Sequence, residues 1–390
     1  MELLDGFDDI TALWAINCIC AFVLCLFCAG VVIPQILLIS YRRKLFDEPD
    51  GRKIHQGAVP RLGGLAFKPV VLLVMTLILG INEAMGHTEV LRSFSGESCP
   101  LAFAFCSVMV LYLVGMADDL VGVRYRAKFA AEALCGVMLI ASGVWIDHLC
   151  GLLWMYSIPK WFGYPLTFVI VIFFINAVNM IDGVDGLASG LCSVVMLFYG
   201  AAFLMLHQYV YALIAFCTLG VLVPFFYYNV FGDVNRHKKI FMGDTGSLTI
   251  GMIVSLLSIK LLQCDPDQYV DSPNFFALAF APLAIPSYDV LRVYFRRLRN
   301  RKNPFKPDKT HIHHKLLSLG LSKRAVMVWL VAASALIGLI TIVLSLWVNI
   351  TILHFGFLII WVVFNMWLSR KIAAKKASEQ PGEEFVPPER

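Results

Sequence analysis

Five aspartates stand out in this sequence because each lies beside a long apolar segment and close to glycines: Asp118, Asp119, Asp182, Asp185 and Asp244. An ionised aspartate at membrane depth costs about 3 kcal/mol, so such residues are rarely without a function. Mg²⁺ is usually held by one or two carboxylates, with substrate phosphates supplying further oxygens. The aspartates therefore predict a site where a hard cation meets a phosphorylated ligand.

The positions of these acids suggest different tasks. Asp118 and Asp119 are adjacent, so on a helix they point about 100° apart. One would approach the metal or an attacking group while the other holds the fold, and the sequence leaves open which. Asp244 lies in "FMGDTGSLTIG", where glycines and a helix N-terminus favour an anion. The negative charge of Asp244 would oppose an anion there, unless a cation lies between Asp244 and the phosphate.

A histidine cluster, "HIHHK", contributes His311, His313 and His314 in a loop rich in lysine and proline. Zinc binding is one interpretation, but no cysteine is nearby to complete a typical site. Phosphate binding or proton transfer is favoured for histidines in this setting. A surface loop without chemistry is the third alternative.

Composition shows which elements must position these residues. The chain has 390 residues, of which 59% are apolar and only 15% charged, and its mean hydropathy is +0.76. Continuous apolar runs of about 20 residues indicate membrane helices rather than barrel strands. The N-terminus, "MELLDGFDDI", has no positive charge before its first apolar run, which argues against a cleavable signal peptide. The sequence thus predicts an all-α, polytopic membrane protein.

About eleven membrane spans are predicted, within a single domain over 1–370 and ahead of a disordered tail over 371–390. The predicted spans are 12–40, 62–82, 100–117, 128–146, 162–180, 187–206, 209–230, 246–263, 274–294, 325–348 and 350–369.

The lysines and arginines predict the orientation of these spans. Loops after odd-numbered spans, such as 41–61 and 295–324, are rich in basic residues, whereas loops after even-numbered spans contain only Arg92 and Lys160. By the positive-inside rule the odd-numbered loops and the C-terminus are cytoplasmic, and the N-terminus is outside. Every motif above follows an odd-numbered span, so one cytoplasmic site is expected. The net charge of +5 then describes one basic face, and nucleic acid is not an expected partner.

Four motifs, in this order, resemble those of the polyprenyl-phosphate N-acetylhexosamine-1-phosphate transferase family. They are "ADD" with Lys128 downstream, "NMIDGVDG", "FMGDTGS" and "HIHH", and the resemblance extends from about Arg42 to about Gly320. It implies that a membrane polyprenyl phosphate attacks a UDP-N-acetylhexosamine in the presence of Mg²⁺, or of Mn²⁺ in its place. The products would be a polyprenyl diphosphate sugar and UMP.

The resemblance also implies residue roles. Asp244 would bind the metal with Asn179 beside it, Asp118 and Asp119 would act on the lipid phosphate or support the metal, and Lys128 would bind phosphate. His313 and His314 would face the diphosphate, and His311 would help to bind substrate. Phe241 would stack on uracil and Asn229 would hydrogen-bond it. The remaining donor-binding candidates are Asp182, Gly183, Asp185, Arg297 and Arg299.

The first cytoplasmic loop, "RKIHQGAVPRLGG", and the histidine loop resemble the branch that transfers N-acetylglucosamine-1-phosphate to undecaprenyl phosphate. That branch begins O-antigen, common-antigen or teichoic-acid polymers at the bacterial cytoplasmic membrane. Another UDP-N-acetylhexosamine is the alternative donor, and a homodimer is one arrangement left open.

Two other classes of protein share some of these features. A secondary transporter should carry its acids near mid-span and within inverted repeats. An intramembrane aspartyl protease is suggested by "SYD" at 287–289 and "MGD" at 242–244, although the two motifs come in the wrong order.

Overall fold

The computed structural model describes residues 9–45, 59–264, 273–301 and 310–379, and it confirms the all-helical prediction for them. Short 3₁₀ turns occur at Gly63–Ala66, Leu152–Trp154 and Ala281–Leu283. The helices are α1 Asp9–Arg43, α2 Phe67–Ala84, α3 Thr88–Gly96, α4 Ser98–Val121, α5 Tyr125–Ala141, α6 Lys160–Ile181, α7 Leu187–Met205, α8 Tyr209–Phe231, α9 Gly243–Leu262, α10 Phe275–Phe280, α11 Ala284–Arg299, α12 Ile312–Ser318, α13 Lys323–Leu344 and α14 Ile350–Glu379.

Within the described ranges, 10 helical segments are long and apolar enough to cross a membrane, against the eleven predicted. The difference is the fourth predicted span, 128–146, which corresponds to α5. That helix has 17 residues, fewer than the roughly 20 that span a hydrocarbon core without tilt. The ninth predicted span is interrupted by the 3₁₀ turn at Ala281–Leu283, which contains Pro282. Helix α14 continues to Glu379, beyond the predicted start of the tail at 371.

The central helix is α9, which is almost completely buried and packs against α4 and α6. Small residues permit these close approaches, as they do in many membrane bundles. A Cβ on Gly115 of α4 would lie 2.6 Å from the Thr245 Cα, and one on Gly251 would lie 2.7 Å from the Ile175 Cα of α6. The first turn of α9, which carries Asp244, is therefore fixed between α4 and α6.

Chain direction brings the polar motifs to one end of the bundle. Helices α4, α6 and α8 end there, and α5, α7 and α9 begin there. Backbone hydrogen bonds connect the start of α2 to the loop before α9, from Gly63 N to Phe241 O and from Gly64 N to Met242 O, each 2.9 Å long. The loops between these helices therefore meet at one surface.

Candidate active site

Asp119 anchors the start of α9. Its carboxylate accepts hydrogen bonds from the backbone N–H of Asp244 at 2.8 Å, from that of Thr245 at 2.9 Å and from the Thr245 hydroxyl at 2.6 Å. The first N–H groups of a helix have no partner within the helix, and a carboxylate satisfies them well. The turn requires a glycine at position 243, where φ is +72°. A Cβ there would lie 2.0 Å from the Arg61 carbonyl oxygen. Of the two adjacent acids, Asp119 therefore holds the fold.

Asp118 has a different set of partners. The Lys128 ammonium at the start of α5 lies 2.9 Å from Asp118 Oδ2 and 2.6 Å from Asp244 Oδ2, so it bridges the two carboxylates. The other Asp118 oxygen accepts a hydrogen bond from the Val123 backbone N–H at 2.7 Å. All three charged side chains are about one-fifth to one-quarter exposed. The bridge is thus open to a ligand from one side.

The acid cluster has donors suited to a hard divalent cation. Carboxylate oxygens of Asp118, Asp119 and Asp244 lie within 4.8 Å of one another, and no other group in the described ranges meets this criterion for metal binding. Oxygen is the ligand atom that Mg²⁺ prefers. Asn179 lies beside the turn, because it donates to Ser247 Oγ at 2.8 Å, which in turn donates to Gly243 O at 3.1 Å. The residues predicted to hold Mg²⁺ therefore fit it.

The "IDGVDG" loop gives its two acids different environments. Asp185 forms an ion pair with Lys239 at 2.6 Å. Asp182, directly after α6, has its pKa raised to about 7 by burial and then by the negative charges of Asp244, Asp185 and Asp119. Lys239 was not among the predicted residues, although it lies in the basic run "NRHKKIF". Asp182 is thus near enough to the other aspartates for their charges to act on it, whereas Asp185 is paired with its lysine.

Asn229 supports this loop from α8. Its side-chain oxygen accepts a hydrogen bond from Gly186 N at 2.5 Å, and its amide nitrogen donates to Ile240 O at 2.7 Å. The side chain is 3% exposed. These bonds connect the "IDGVDG" loop to the segment before α9, a supporting role that the predicted contact with uracil did not include. Phe241, the predicted stacking residue, follows that segment and is half-buried.

The histidine loop is anchored by Asp289 of α11, a residue that is fully buried. Its carboxylate bonds to His311 Nδ1 at 2.8 Å and accepts from the Ile312 N–H at 3.0 Å. Arg292 donates to Asp289 at 2.7 Å and to the Thr310 carbonyl at 2.6 Å. The "SYD" motif predicts Asp289 only as half of a protease pair with Asp244. The two aspartates instead belong to separate networks.

His313 joins the histidine loop to the "IDGVDG" loop. It is 1% exposed, and a Cβ added to Gly183 would lie 2.6 Å from its Nε2. Burial, together with the charges of the neighbouring His314 and His311, lowers the pKa of His313 to about 3. The ring of His314 lies 4.3 Å from that of His313, centroid to centroid. His313 is therefore a neutral imidazole, which offers a hydrogen bond rather than a positive charge.

The two predicted arginines lie in unlike environments near the end of α11. Arg297 is buried, at 4% exposure, whereas Arg299 is exposed. Their contact with a donor stays a prediction.

The sequence did not predict three residues of the site, which are Thr245, Lys239 and Asp289. Only Asp289 had a usable signal, because Arg292 follows it at the i,i+3 spacing of helical ion pairs.

Comparison with known proteins agrees with this geometry. The profile of glycosyl transferase family 4 matches residues 101–262, which span α4 to α9 and contain the acid cluster. An undecaprenyl-phosphate alpha-N-acetylglucosaminyl 1-phosphate transferase of Yersinia pestis is 30% identical over 312 residues, which cover 78% of each chain. The enzyme of the same name from Escherichia coli K12 is 29% identical over 300 residues, 75% of each chain.

A relative from Bacillus subtilis, named "Probable undecaprenyl-phosphate N-acetylglucosaminyl 1-phosphate transferase", is 28% identical over 357 residues, 87% of this chain and 88% of its own. These matches extend well beyond the motifs into the apolar helices. They favour neither the transporter nor the protease. The chain belongs to the polyprenyl-phosphate N-acetylhexosamine-1-phosphate transferase family, and it is a membrane glycosyl-1-phosphate transferase.

Proposed function

We propose that this protein transfers N-acetylglucosamine-1-phosphate from UDP-N-acetylglucosamine to undecaprenyl phosphate and releases UMP. The reaction takes place at the cytoplasmic face of a bacterial inner membrane, with the N-terminus outside, and begins a cell-envelope polysaccharide. The names of the relatives support the donor sugar and the lipid. The observation that carries the proposal is the Lys128 bridge between Asp118 and Asp244, within an acid cluster at the ends of membrane helices.

The charge balance of the site supports a divalent cation. Both substrates are phosphate anions, yet among the described residues five aspartates gather here, with Lys128 and Lys239 in ion pairs and Arg61 close enough for its charge to act on Asp182. Mg²⁺ held by Asp118 and Asp244, with Asn179 beside them and Asp119 fixing the turn that carries Asp244, would stabilise the charge that develops on the transferring phosphoryl group. Lys128 is placed to hold a phosphate oxygen next to these acids. The chain thus provides positioning and charge neutralisation, which phosphoryl transfer chiefly requires.

The attacking group needs little activation. The second pKa of a phosphate monoester is about 6, so the lipid phosphate is largely a dianion at neutral pH. One of its oxygens attacks the phosphorus attached to the sugar, and the bond to the UMP oxygen breaks with its electron pair. One anhydride forms as another is lost, and no proton has to move. Direct attack is therefore favoured over an intermediate on Asp118.

The neutral His313 is placed to orient the donor diphosphate by a hydrogen bond, because it lies against Gly183 in the loop predicted to hold the nucleotide. Phe241 is proposed to stack on the uracil. Asp182 and Asp185 shape the remainder of this pocket.

The test is a panel of labelled UDP-sugars incubated with undecaprenyl phosphate, Mg²⁺ and the purified protein. Lipid-linked product and UMP are expected with UDP-N-acetylglucosamine. Asp244→Asn should remove turnover without loss of folding, because the near-isosteric amide lacks the charge that holds the metal. Asp147→Asn is the matched control, since Asp147 lies between α5 and α6 at the opposite end of the bundle. Full activity of Asp244→Asn would contradict the proposed metal site, and product from another sugar alone would reassign the donor.

A further inference from the structure

Glu132 is a buried carboxyl group that the proposed chemistry does not use. It lies in α5, one helical turn after Lys128, and is 3% exposed. Its Oε2 accepts a hydrogen bond from Asn176 Nδ2 of α6, which also donates to the Ile172 carbonyl at 2.9 Å. An ionisable group inside a membrane bundle is costly to retain, and this makes Glu132 a candidate for a functional role.

Helix α6 connects the two helices that carry the bridging charges. Asn176 and Asn179 are three residues apart, so they lie on one side of α6. Asn176 bonds to Glu132 of α5, the helix that carries Lys128. Asn179 bonds to Ser247 of α9, the helix that carries Asp244. The helices that carry Lys128 and Asp244 are therefore each joined to α6 by a side-chain hydrogen bond.

Helix α5 packs against both α4 and α6, and Cys135 Sγ donates to the Ser107 carbonyl of α4 at 3.5 Å. In the described part of the chain, the bond between Glu132 and Asn176 is the side-chain hydrogen bond that joins α5 to α6. The outer side of α5 is open to lipid, with Leu134 and Val137 about half exposed. On its inner side Gly136 packs closely on α6, where a Cβ would lie 3.2 Å from the ring of Phe168. Smooth packing of this kind permits helices to slide or rotate, whereas a hydrogen bond between side chains sets one register.

We propose that Glu132 is a positioning residue. Its hydrogen bond to Asn176 sets the depth and rotation of α5, so that the Lys128 ammonium reaches Asp118 and Asp244 together. This inference rests on the proposed function. A displacement of about 1 Å in a catalytic group can cost about 10²-fold in rate, whereas a hydrogen bond between membrane helices contributes only modestly to stability. Loss of the link should therefore lower turnover much more than stability.

The test compares variants of this link with a control link of the same kind. Asn17 and Asn82 pair through their amides at 3.2 and 3.0 Å, buried between α1 and α2 at the far end of the bundle. Glu132→Leu and Asn176→Leu should each lower kcat by about 10–100-fold with little change in KM for the nucleotide sugar. The double variant should be no worse than either single variant. Glu132→Gln, which keeps the acceptor oxygen, should restore most of kcat, and Asn82→Leu should leave kcat unchanged.

A second readout does not depend on turnover. In the wild type, Lys128 is held by two carboxylates and should react slowly with an amine-acetylating reagent. Peptide mass spectrometry should show several-fold faster acetylation of Lys128 in Glu132→Leu, but not in Asn82→Leu. The inference would be overturned if Glu132→Leu kept the wild-type kcat and the wild-type acetylation rate of Lys128. It would also be overturned if Asn82→Leu or Glu132→Gln lost as much kcat as Glu132→Leu. A wild-type protein that forms no lipid-linked product would refute the proposed function instead, and the acetylation rates would still decide the role of Glu132.

Discussion

Replacing Asp119 with alanine should damage the fold at the start of α9 before it affects any chemistry. The substitution removes all three hydrogen bonds that the carboxylate accepts from Asp244 and Thr245, at 2.8, 2.9 and 2.6 Å. It leaves two N–H groups without partners, on the most buried helix of the bundle. The turn that carries Asp244 would then lose its link to α4.

The magnitude follows from these bonds. Loss of a helix-capping side chain costs about 0.5–2 kcal/mol, and each buried N–H left without a partner costs about 1–3 kcal/mol. Partial access of water to the new space reduces the second figure. A loss of about 2–5 kcal/mol in the free energy of unfolding is therefore expected for Asp119→Ala.

The comparison variant is Asp118→Asn, which keeps an oxygen for the Val123 N–H but loses the charge that faces Lys128. It should unfold within about 1 kcal/mol of the wild type, since partly exposed ion pairs contribute little, yet it should lose turnover. Thermal unfolding in detergent and the UMP-release assay measure the two effects. The reasoning would be refuted if Asp119→Ala unfolded like the wild type, or if Asp118→Asn kept full turnover.

Four further predictions concern other parts of the molecule. Gly183→Ala should displace His313 and lower kcat, whereas Gly80→Ala, with open space around it, should not; equal rates in the turnover assay would contradict this. His313 has a pKa of about 3 when folded against an ordinary value of about 6.5, so only the unfolded chain binds its proton between these values. The free energy of unfolding should therefore fall as the pH is lowered from about 6.5 to 3. If His313→Gln showed the same pH dependence of this free energy as the wild type, the contribution of His313 would be disproved. Arg236→Cys, made in a background without native cysteines, should react with an impermeant thiol reagent only from the cytoplasmic side. Labelling of this cysteine in intact cells would show that the predicted topology is inverted. When the enzyme is incubated with UDP-N-acetylglucosamine and labelled UMP but no polyprenyl phosphate, the label should not enter the nucleotide sugar. Exchange of the label that is lost in Asp118→Asn would instead establish a covalent route.

Much of the architecture follows from the sequence because one physical constraint dominates it. A backbone in hydrocarbon must satisfy its own hydrogen bonds, so long apolar runs become helices. The order of the runs then places "ADD", "NMIDGVDG", "FMGDTGS" and "HIHH" at one end of the bundle, and the structure brings them into contact there. The shorter α5 was predicted with the wrong bounds because its apolar composition continues past Ala141, where the helix ends.

The partners of individual side chains could not be predicted in the same way. Residues 118 and 119 are both aspartates with the same neighbours in sequence. Only the position of α9 decides which of the two caps that helix. Asp289 of α11 and His311, which precedes α12, are in contact although they are far apart in sequence. Glu132 and Asn176 lie in different apolar runs, and each alone resembles an incidental polar residue within a span. Such pairings depend on helix rotation, which hydropathy does not specify.

The spread of the site along the chain also constrains its assembly during synthesis. The Lys128 bridge needs α4, α5 and the start of α9, and Gly183 meets His313 only after α12 has been made. At about 5–20 residues per second, the ribosome adds the stretch from Asp118 to His313 in roughly 10–40 s. For roughly the first 6–25 s of that interval, Asp118 and Lys128 can pair with each other but Asp244 has not yet been made. The nascent protein therefore carries an inserted but incomplete site until α12 has been made.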